Sequence, residues 1–416
     1  MDQALNKSSI EKELEATLLA GRLLMESGAE IYRIEETMFH IARAFGLAKF
    51  EVFVISRGIF ASALNQNGFS EAKVNTTKET FVNLRKLEEI NRLSRRLSAE
   101  KNMSADDLIE DLNAIDNKND YAALPRLFAY FLGAGSFAFA LGSSWQDSLV
   151  SAVTGLLIGV SLHFVHRFIK TDLILTIIGS IVATLSVNLM HLVGIGEYRG
   201  LIILGALMVL VPGAFFVNSI REFSQNNYAT GLSLMVSALL TCISISVGVA
   251  ATIEALPFAD QMTGVFSVSA PTIGILLQRS LMAGIGTISF SLLYSTPKRF
   301  FLDLGLLGGT TWMLYLLLLD WSHFDVVAIF LSSLLVIFSS RFLAVKRKSP
   351  ASIFLSTSMF PLIPGISFYR AVYFLLTGSN DLAMEYLRTS FVTAFTIALA
   401  IIIVQQFPMK LFPRKS

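Results

Sequence analysis

Four charged residues crowd one short stretch, SGAEIYRIEETM at 27–38: Glu30, Arg33, Glu35 and Glu36. Paired carboxylates beside a guanidinium are the raw material of acid–base chemistry, and equally of a solvated, salt-bridged helix face. Farther along, Pro212-Gly213 and Pro364-Gly365 interrupt otherwise apolar runs. Proline withholds a backbone donor and glycine tolerates unusual angles, so each pair either breaks or kinks a helix. A break would expose a half-helix N-terminus, whose unpaired N–H groups attract anions such as a carboxylate. Asn218, Arg221 and Glu222 follow the first pair, and Tyr369 and Arg370 follow the second. These are candidates for substrate binding or gating; ordinary interfacial anchoring is the alternative. Asp147, Glu222 and Glu254 are candidate proton carriers if transport is coupled to protons.

Other chemistry finds little footing. There is no GxSxG, P-loop or HExxH motif, so no catalytic residue and no cofactor is expected. The five histidines do not group with acids, and no metal is expected. Cys242 is the single cysteine, which rules out a disulfide within the chain, and it reads as a small buried apolar residue. Net charge is only +2, and residues 1–124 carry 20 acids against 16 bases, so no nucleic-acid partner is expected.

The elements that must position these residues follow from composition. Hydrophobic residues make up 53% of the 416-residue chain, and mean hydropathy is +0.61. Residues 1–124 hold 36 of the 64 charges, whereas the remaining 292 residues hold 28. That contrast is the one expected of a soluble domain joined to a membrane domain. The first residues lack an apolar signal-peptide core, so no signal peptide is expected.

Ten apolar runs are long enough to cross about 30 Å of hydrocarbon: roughly 127–144, 148–166, 172–192, 200–218, 229–252, 272–295, 300–319, 325–343, 351–376 and 389–407. With the N-terminus inside, the inner connections carry thirteen Lys or Arg and the outer ones three, which are Arg199, Arg370 and Arg388. This bias places both termini in the cytoplasm. Arg279 falls within the sixth run, where snorkelling outward or pairing with Asp260 would relieve its charge.

The ten runs divide into two fives, with a Pro-Gly pair in the fourth of each. An odd number of spans per copy forces the second copy to enter from the opposite side, which predicts an inverted repeat. Each pair lies about 12 residues, or roughly 18 Å, into its run, near mid-membrane. The expected fold is therefore an α-helical polytopic membrane protein of about ten spans, built as two inverted five-helix repeats (125–255 and 270–410). A cytoplasmic α+β domain (1–124) precedes them. Within it, helical spacing over 10–45 is interrupted at SGAE, strands are expected near 52–56, 59–64 and 72–76, and helices resume at 81–97 and near Ser104.

At these same residues the chain resembles the threonine/serine exporter family over nearly its full length. SGAEIYRIEETM, VFVISRGIF (52–60), EEINRLSRRL (88–97), GSFAFALGSSWQD (135–147) and LGALMVLVPGAFFVNSIRE (204–222) are similar to that family's larger half. TPKRF (296–300), SSRFLA (339–344) and FPLIPGISFYRAV (360–372) are similar to its smaller half, which is a separate polypeptide in some members. The resemblance carries over Ser27, Gly28, Glu30, Arg33, Glu35, Arg57, Gly58, Asp147, Pro212, Gly213, Asn218, Arg221, Pro364, Gly365 and Tyr369. It implies a multi-pass inner-membrane secondary exporter of threonine and serine, drawing on an ion gradient, with a small-molecule substrate and the lipid bilayer as partners. A succinate-like dicarboxylate, as for the split form, is the alternative cargo. A homo-oligomer stays open, and a membrane enzyme or sensor using the N-terminal domain is a further alternative. The chain departs from the family pattern at Glu222 (in place of Asp), at Asn226-Asn227 (in place of Gly-Asp), and at Leu234 and Ser237 (in place of Arg and Glu).

Overall fold

A computed structural model describes residues 2–64, 70–77, 82–99, 103–118, 120–255 and 272–407, with side chains from Ile10 onward except that of Ser70. Asp260, the proposed partner of Arg279, lies outside the described residues, as do Lys410, Arg414 and Lys415 of the loop-charge count.

The N-terminal segment opens with α1 (Asp2–Glu26) and α2 (Ile31–Ala44). The chain turns between them at Gly28, whose φ of 77° lies in the left-handed region that glycine enters without steric cost. Three strands, β1 (Ala48–Ile55), β2 (Gly58–Leu64) and β3 (Ser70–Thr76), form an antiparallel sheet in that order. Then come α3 (Leu84–Ala99) and α4 (Ala105–Asn117). The SADD stretch caps α4 as its residues require: the Ser104 hydroxyl accepts from the Asp107 N–H, and the Asp107 carboxylate accepts from the Ser104 N–H.

Eight helices among the described residues are long and apolar enough to cross a membrane, and ten spans result if two bent pairs each count as one. The chain is a multi-pass membrane protein. The first set is α5 (Ala123–Ala140), α6 (Trp145–Val165), α7 (Asp172–Leu192), the bent pair α8 (Arg199–Leu207) and α9 (Gly213–Ser224), and α10 (Tyr228–Ala255). The second set is α11 (Ile273–Leu293), α12 (Phe301–Ser322), α13 (Asp325–Arg347), the bent pair α14 (Ala351–Ser358) and α15 (Gly365–Leu376), and α16 (Asn380–Gln405).

The main helix contacts of one set recur in the other. The α5–α6, α6–α7 and α7–α10 contacts match α11–α12, α12–α13 and α13–α16, while α5 packs on α11. Across the sets, α10 meets α15 and α16 meets α9.

Both Pro-Gly pairs sit in bent spans: the first bends by 58° between Arg199–Leu210 and Gly213–Ser224, and the second by 42° between Ala351–Ser358 and Phe360–Leu376, just ahead of its Pro-Gly pair. The two breaks are built alike. A three-residue 3-10 turn (Met208–Leu210 or Phe360–Leu362) leads to an extended residue, Val211 or Ile363. Proline then takes the cap position and glycine opens the next helix. The Pro212 and Pro364 carbonyls accept from the Phe216 and Phe368 N–H groups, so each proline starts a helix that it could not have continued.

The N-terminal segment shares a hydrophobic core with the bundle. Leu84, Leu87 and Ile90 of α3 cluster with Phe300, Leu304, Ala344, Ile353 and Phe354. Polar ties accompany this contact. The Leu84 N–H donates to the Tyr294 carbonyl at 3.0 Å, the Tyr121 hydroxyl donates to the Thr296 carbonyl at 2.7 Å, and Arg299 pairs with buried Glu88.

Candidate functional site

The charged stretch of α2 and the polar end of α9 meet. Glu30 occupies the N-cap position of α2, yet its side chain makes no cap bond to its own helix. It reaches instead to Arg221 of α9, forming an ion pair in which both residues are buried. The N–H of Ile31, one of the donors left free at the start of the helix, donates to Oε1 of Glu222 at 2.9 Å. Asn227 donates to the other oxygen of Glu222 at 2.7 Å. Two crossed contacts thus fasten α2 to the half-helix that follows the first break.

A cavity of about 300 Å³ adjoins this clasp, lined by Gly28, Glu30, Arg57, Asn218 and Glu222 together with residues of α10. That volume is at the lower edge of the roughly 300–1,000 Å³ typical of small-molecule sites. Asn218 is 7% exposed, and its Oδ1 has no hydrogen-bond partner among the described residues. Asn218 and Glu222 are one turn apart and share a helix face. From α10, Ser233, Ser237 and Thr241 bring hydroxyls at four-residue spacing. Ser237 and Thr241 each donate to the carbonyl four residues back, at 3.0 and 2.9 Å. Their oxygens therefore retain acceptor capacity toward the cavity.

A second cavity of about 490 Å³ lies across the ion pair, where Arg33, Arg221 and Arg341 outnumber the one carboxylate, Glu35. Arg33 donates to the other Glu30 oxygen at 3.4 Å and to the Tyr32 hydroxyl at 3.1 Å. Half-buried Glu35 is raised above the ordinary carboxylate range by burial, which outweighs the hydrogen bond it accepts from the Val54 backbone.

Of the other residues singled out in the sequence, Arg57 lines the smaller cavity and the rest fall elsewhere. The Ser27 hydroxyl donates to the Leu23 carbonyl at 2.6 Å. The Arg57 carbonyl accepts from Thr77, and Gly58 is buried at the start of β2. Asp147 is fully buried, and its carboxylate accepts from the Glu197 and Tyr198 N–H groups at 2.8 and 3.3 Å. It thereby fastens the loop before α8. Glu254 is exposed near the end of α10. Tyr369 is buried in α15, and the Arg370 Nη1 donates to the Tyr386 hydroxyl at 3.0 Å.

The two breaks come together, but apolar groups pack between them rather than a polar cavity. A Cβ on Gly213 would meet Phe360 at 2.4 Å and Ile363 at 3.1 Å. A Cβ on Gly365 would meet Val211 at 2.1 Å. Neither of the two cavities described is lined by the prolines or glycines of the breaks. The extended residue between turn and proline turns its side chain onto the other break, and that contact fills the space.

Sequence reasoning missed Ser233 and Thr241, although their hydroxyls dilute the fifth apolar run. It placed Arg341 only among loop charges.

A family model described as threonine/serine exporter matches residues 15–256, and a second, Threonine/Serine exporter, ThrE, matches residues 279–407. The chain belongs to the threonine/serine exporter family. Its two halves are fused here in one chain. A protein of Mycobacterium tuberculosis named "Probable threonine/serine exporter" is 22% identical over 406 residues, covering 94% of this chain and 75% of that relative. The "Threonine/serine exporter" of Corynebacterium glutamicum is 22% identical over 332 residues, covering 77% of this chain and 67% of its own. No solved structure gives a significant match. The positions at which the resemblance implies other residues gather at the site. Glu222, Leu234 and Ser237 line the smaller cavity, Asn227 holds Glu222, and Asn226 takes a φ of 64°, left-handed backbone that asparagine tolerates.

Proposed function

We propose that this member of the family is a secondary active exporter of threonine and serine that works by alternating access. The observation that carries the reading is the 300 Å³ cavity at the clasp. There the Glu222 and Asn218 oxygens suit the α-ammonium of a hydroxyl amino acid and the serine and threonine hydroxyls of α10 suit its side chain. The guanidinium for the α-carboxylate is that of Arg221, which lines the larger cavity on the far side of its ion pair with Glu30. No bond is made or broken, so no catalytic group is needed.

The two five-helix sets are the inverted repeats of this mechanism, and the matching breaks support that assignment. Rocking one set against the other turns about the contact between Val211 and Gly365. The arms that move are α9 and α15. The N-terminal segment sits on the cytoplasmic end, and the cavity is the inner vestibule. Of the three candidate proton carriers, Glu222 is the one that lines either of the two cavities described above. Its neighbours Glu30, Arg221 and Asn227 would set when it takes up a proton.

Purified protein in proteoliposomes tests the reading. Uphill accumulation of labelled threonine or serine is the expected result. Accumulation of succinate alone would transfer the reading to dicarboxylates, and downhill flux alone would make the protein a passive channel.

A further inference from the structure

Glu30 behaves unlike an N-cap residue. A short polar side chain at that position, such as Asp or Ser, accepts from the N–H of the second or third helical residue, which is worth about 1 kcal/mol to the helix. Glu30 makes no such bond and spends its charge on Arg221, 191 positions away in sequence. The free N–H of the first helical residue, Ile31, is met by Glu222. The side chains of Glu30 and Arg221 are only 1% and 6% exposed. Separating such a pair would leave an uncompensated buried charge, so opening requires a replacement partner for each ion.

Each replacement is close by. Arg33 already touches Glu30 at 3.4 Å and can retain it once Arg221 is taken. For Arg221 the replacement must be another carboxylate, because its planar guanidinium matches a two-oxygen anion. Glu30 faces the smaller cavity and Arg221 the larger, so the pair is the partition between them.

We infer that Glu30 is a built-in stand-in for the substrate carboxylate. An amino acid opens the clasp by giving its own carboxylate to Arg221 and its ammonium to Glu222. The inference rests on the exporter reading above and adds to it a specificity device: a ligand without a carboxylate cannot displace Glu30, however well its other groups fit. Displacement joins the two cavities and frees α9 from α2, so binding and release of the broken span become one event. While Glu30 holds Arg221, only a fraction of molecules can bind, and apparent affinity is reduced by that fraction.

The test uses the full chain in proteoliposomes, with threonine as the probe. Glu30→Gln removes the internal competitor, so half-saturation should fall about tenfold, within the usual range of coupling between sites. A double variant, Glu30→Arg with Arg221→Glu, rebuilds the ion pair in reverse. It should still fold, with a melting temperature lowered because the new guanidinium meets Arg33 and the new carboxylate meets Glu222, and it should lose threonine binding. Unchanged half-saturation in the first variant, or restored transport in the second, would reduce the pair to a structural tie. If Glu30→Gln does not fold, Ala29→Cys serves instead, because Cys242, the only native cysteine, is buried. Threonine should speed maleimide labelling at position 29 severalfold, and no change in rate would overturn the inference. A wild-type protein that carries neither threonine nor serine counts against the exporter reading alone.

Discussion

The side chain of Val211 rests against the bare Cα of Gly365, where an added Cβ would stand 2.1 Å from Cγ1 of the valine. The counterpart contact sets Ile363 against Gly213. Each break thus lends an apolar side chain to the glycine of the other. This reciprocity links the two halves at the very points where their helices are interrupted. Gly365→Ala should lower the melting temperature of the detergent-purified protein, with an overpacking cost of about 1–3 kcal/mol or more. Adding Val211→Ala should return part of the loss, and a purely additive result would show that the two positions do not touch.

Asp147 faces backbone donors on the loop before α8. Asparagine there can turn only one oxygen toward two N–H groups and aims an amide donor at the other. Asp147→Asn should cost about 1–3 kcal/mol in chemical unfolding. Any dependence of transport on the proton gradient should survive in the folded fraction. Loss of that dependence at unchanged stability would move Asp147 from scaffold to coupling.

The sign of the Glu35 effect follows from its raised folded-state pKa. Its unfolded-state value is ordinary, so folding favours the protonated acid. The contribution is fully present below the ordinary carboxylate range and is lost as pH rises through the higher folded-state value. Glu35→Gln should therefore stabilise the protein at neutral pH, and the advantage should fade on acidification. Thermal melts of both proteins between pH 4 and pH 8, about the span of a carboxylate titration and its tail, check it.

Phe354 is fully buried in the core shared by α3 and the bundle. Phe354→Ala should cost about 3–5 kcal/mol. Cleavage between α4 and α5 by a dilute protease should then speed up, although the substitution lies in α14. Unaltered cleavage would mean that the segment and the bundle hold together without this cluster.

Local features were the readable ones. The SADD cap, the turn at Gly28 and the three short strands follow from residue types over a few positions, and the structure has them where the spacing requires. Hydropathy found the spans but not their ends. The tenth run was expected from 389, whereas α16 begins at Asn380, because Asp381, Glu385 and Arg388 continue the helix with residues that an apolar window rejects. Pro125 lies in the first turn of α5, where proline costs little, so that helix starts at Ala123 rather than 127. What composition could not reveal was partnership. Glu30 and Arg221 both stood out in the sequence, but nothing local joins residues so far apart. Likewise, the Pro-Gly pairs announced two interruptions without saying that each would be plugged by the other's neighbour.

The grip of the N-terminal segment on two places at once carries a mechanical meaning. With α2 hooked to α9 and α3 seated on the loops at the ends of α11 and α12, the segment spans the seam like a buckle. Any tilt of one half against the other must stretch it or undo one hook. In the proposed alternating-access cycle the polar hook would let go before the hydrophobic seat, and the segment would travel with the second half.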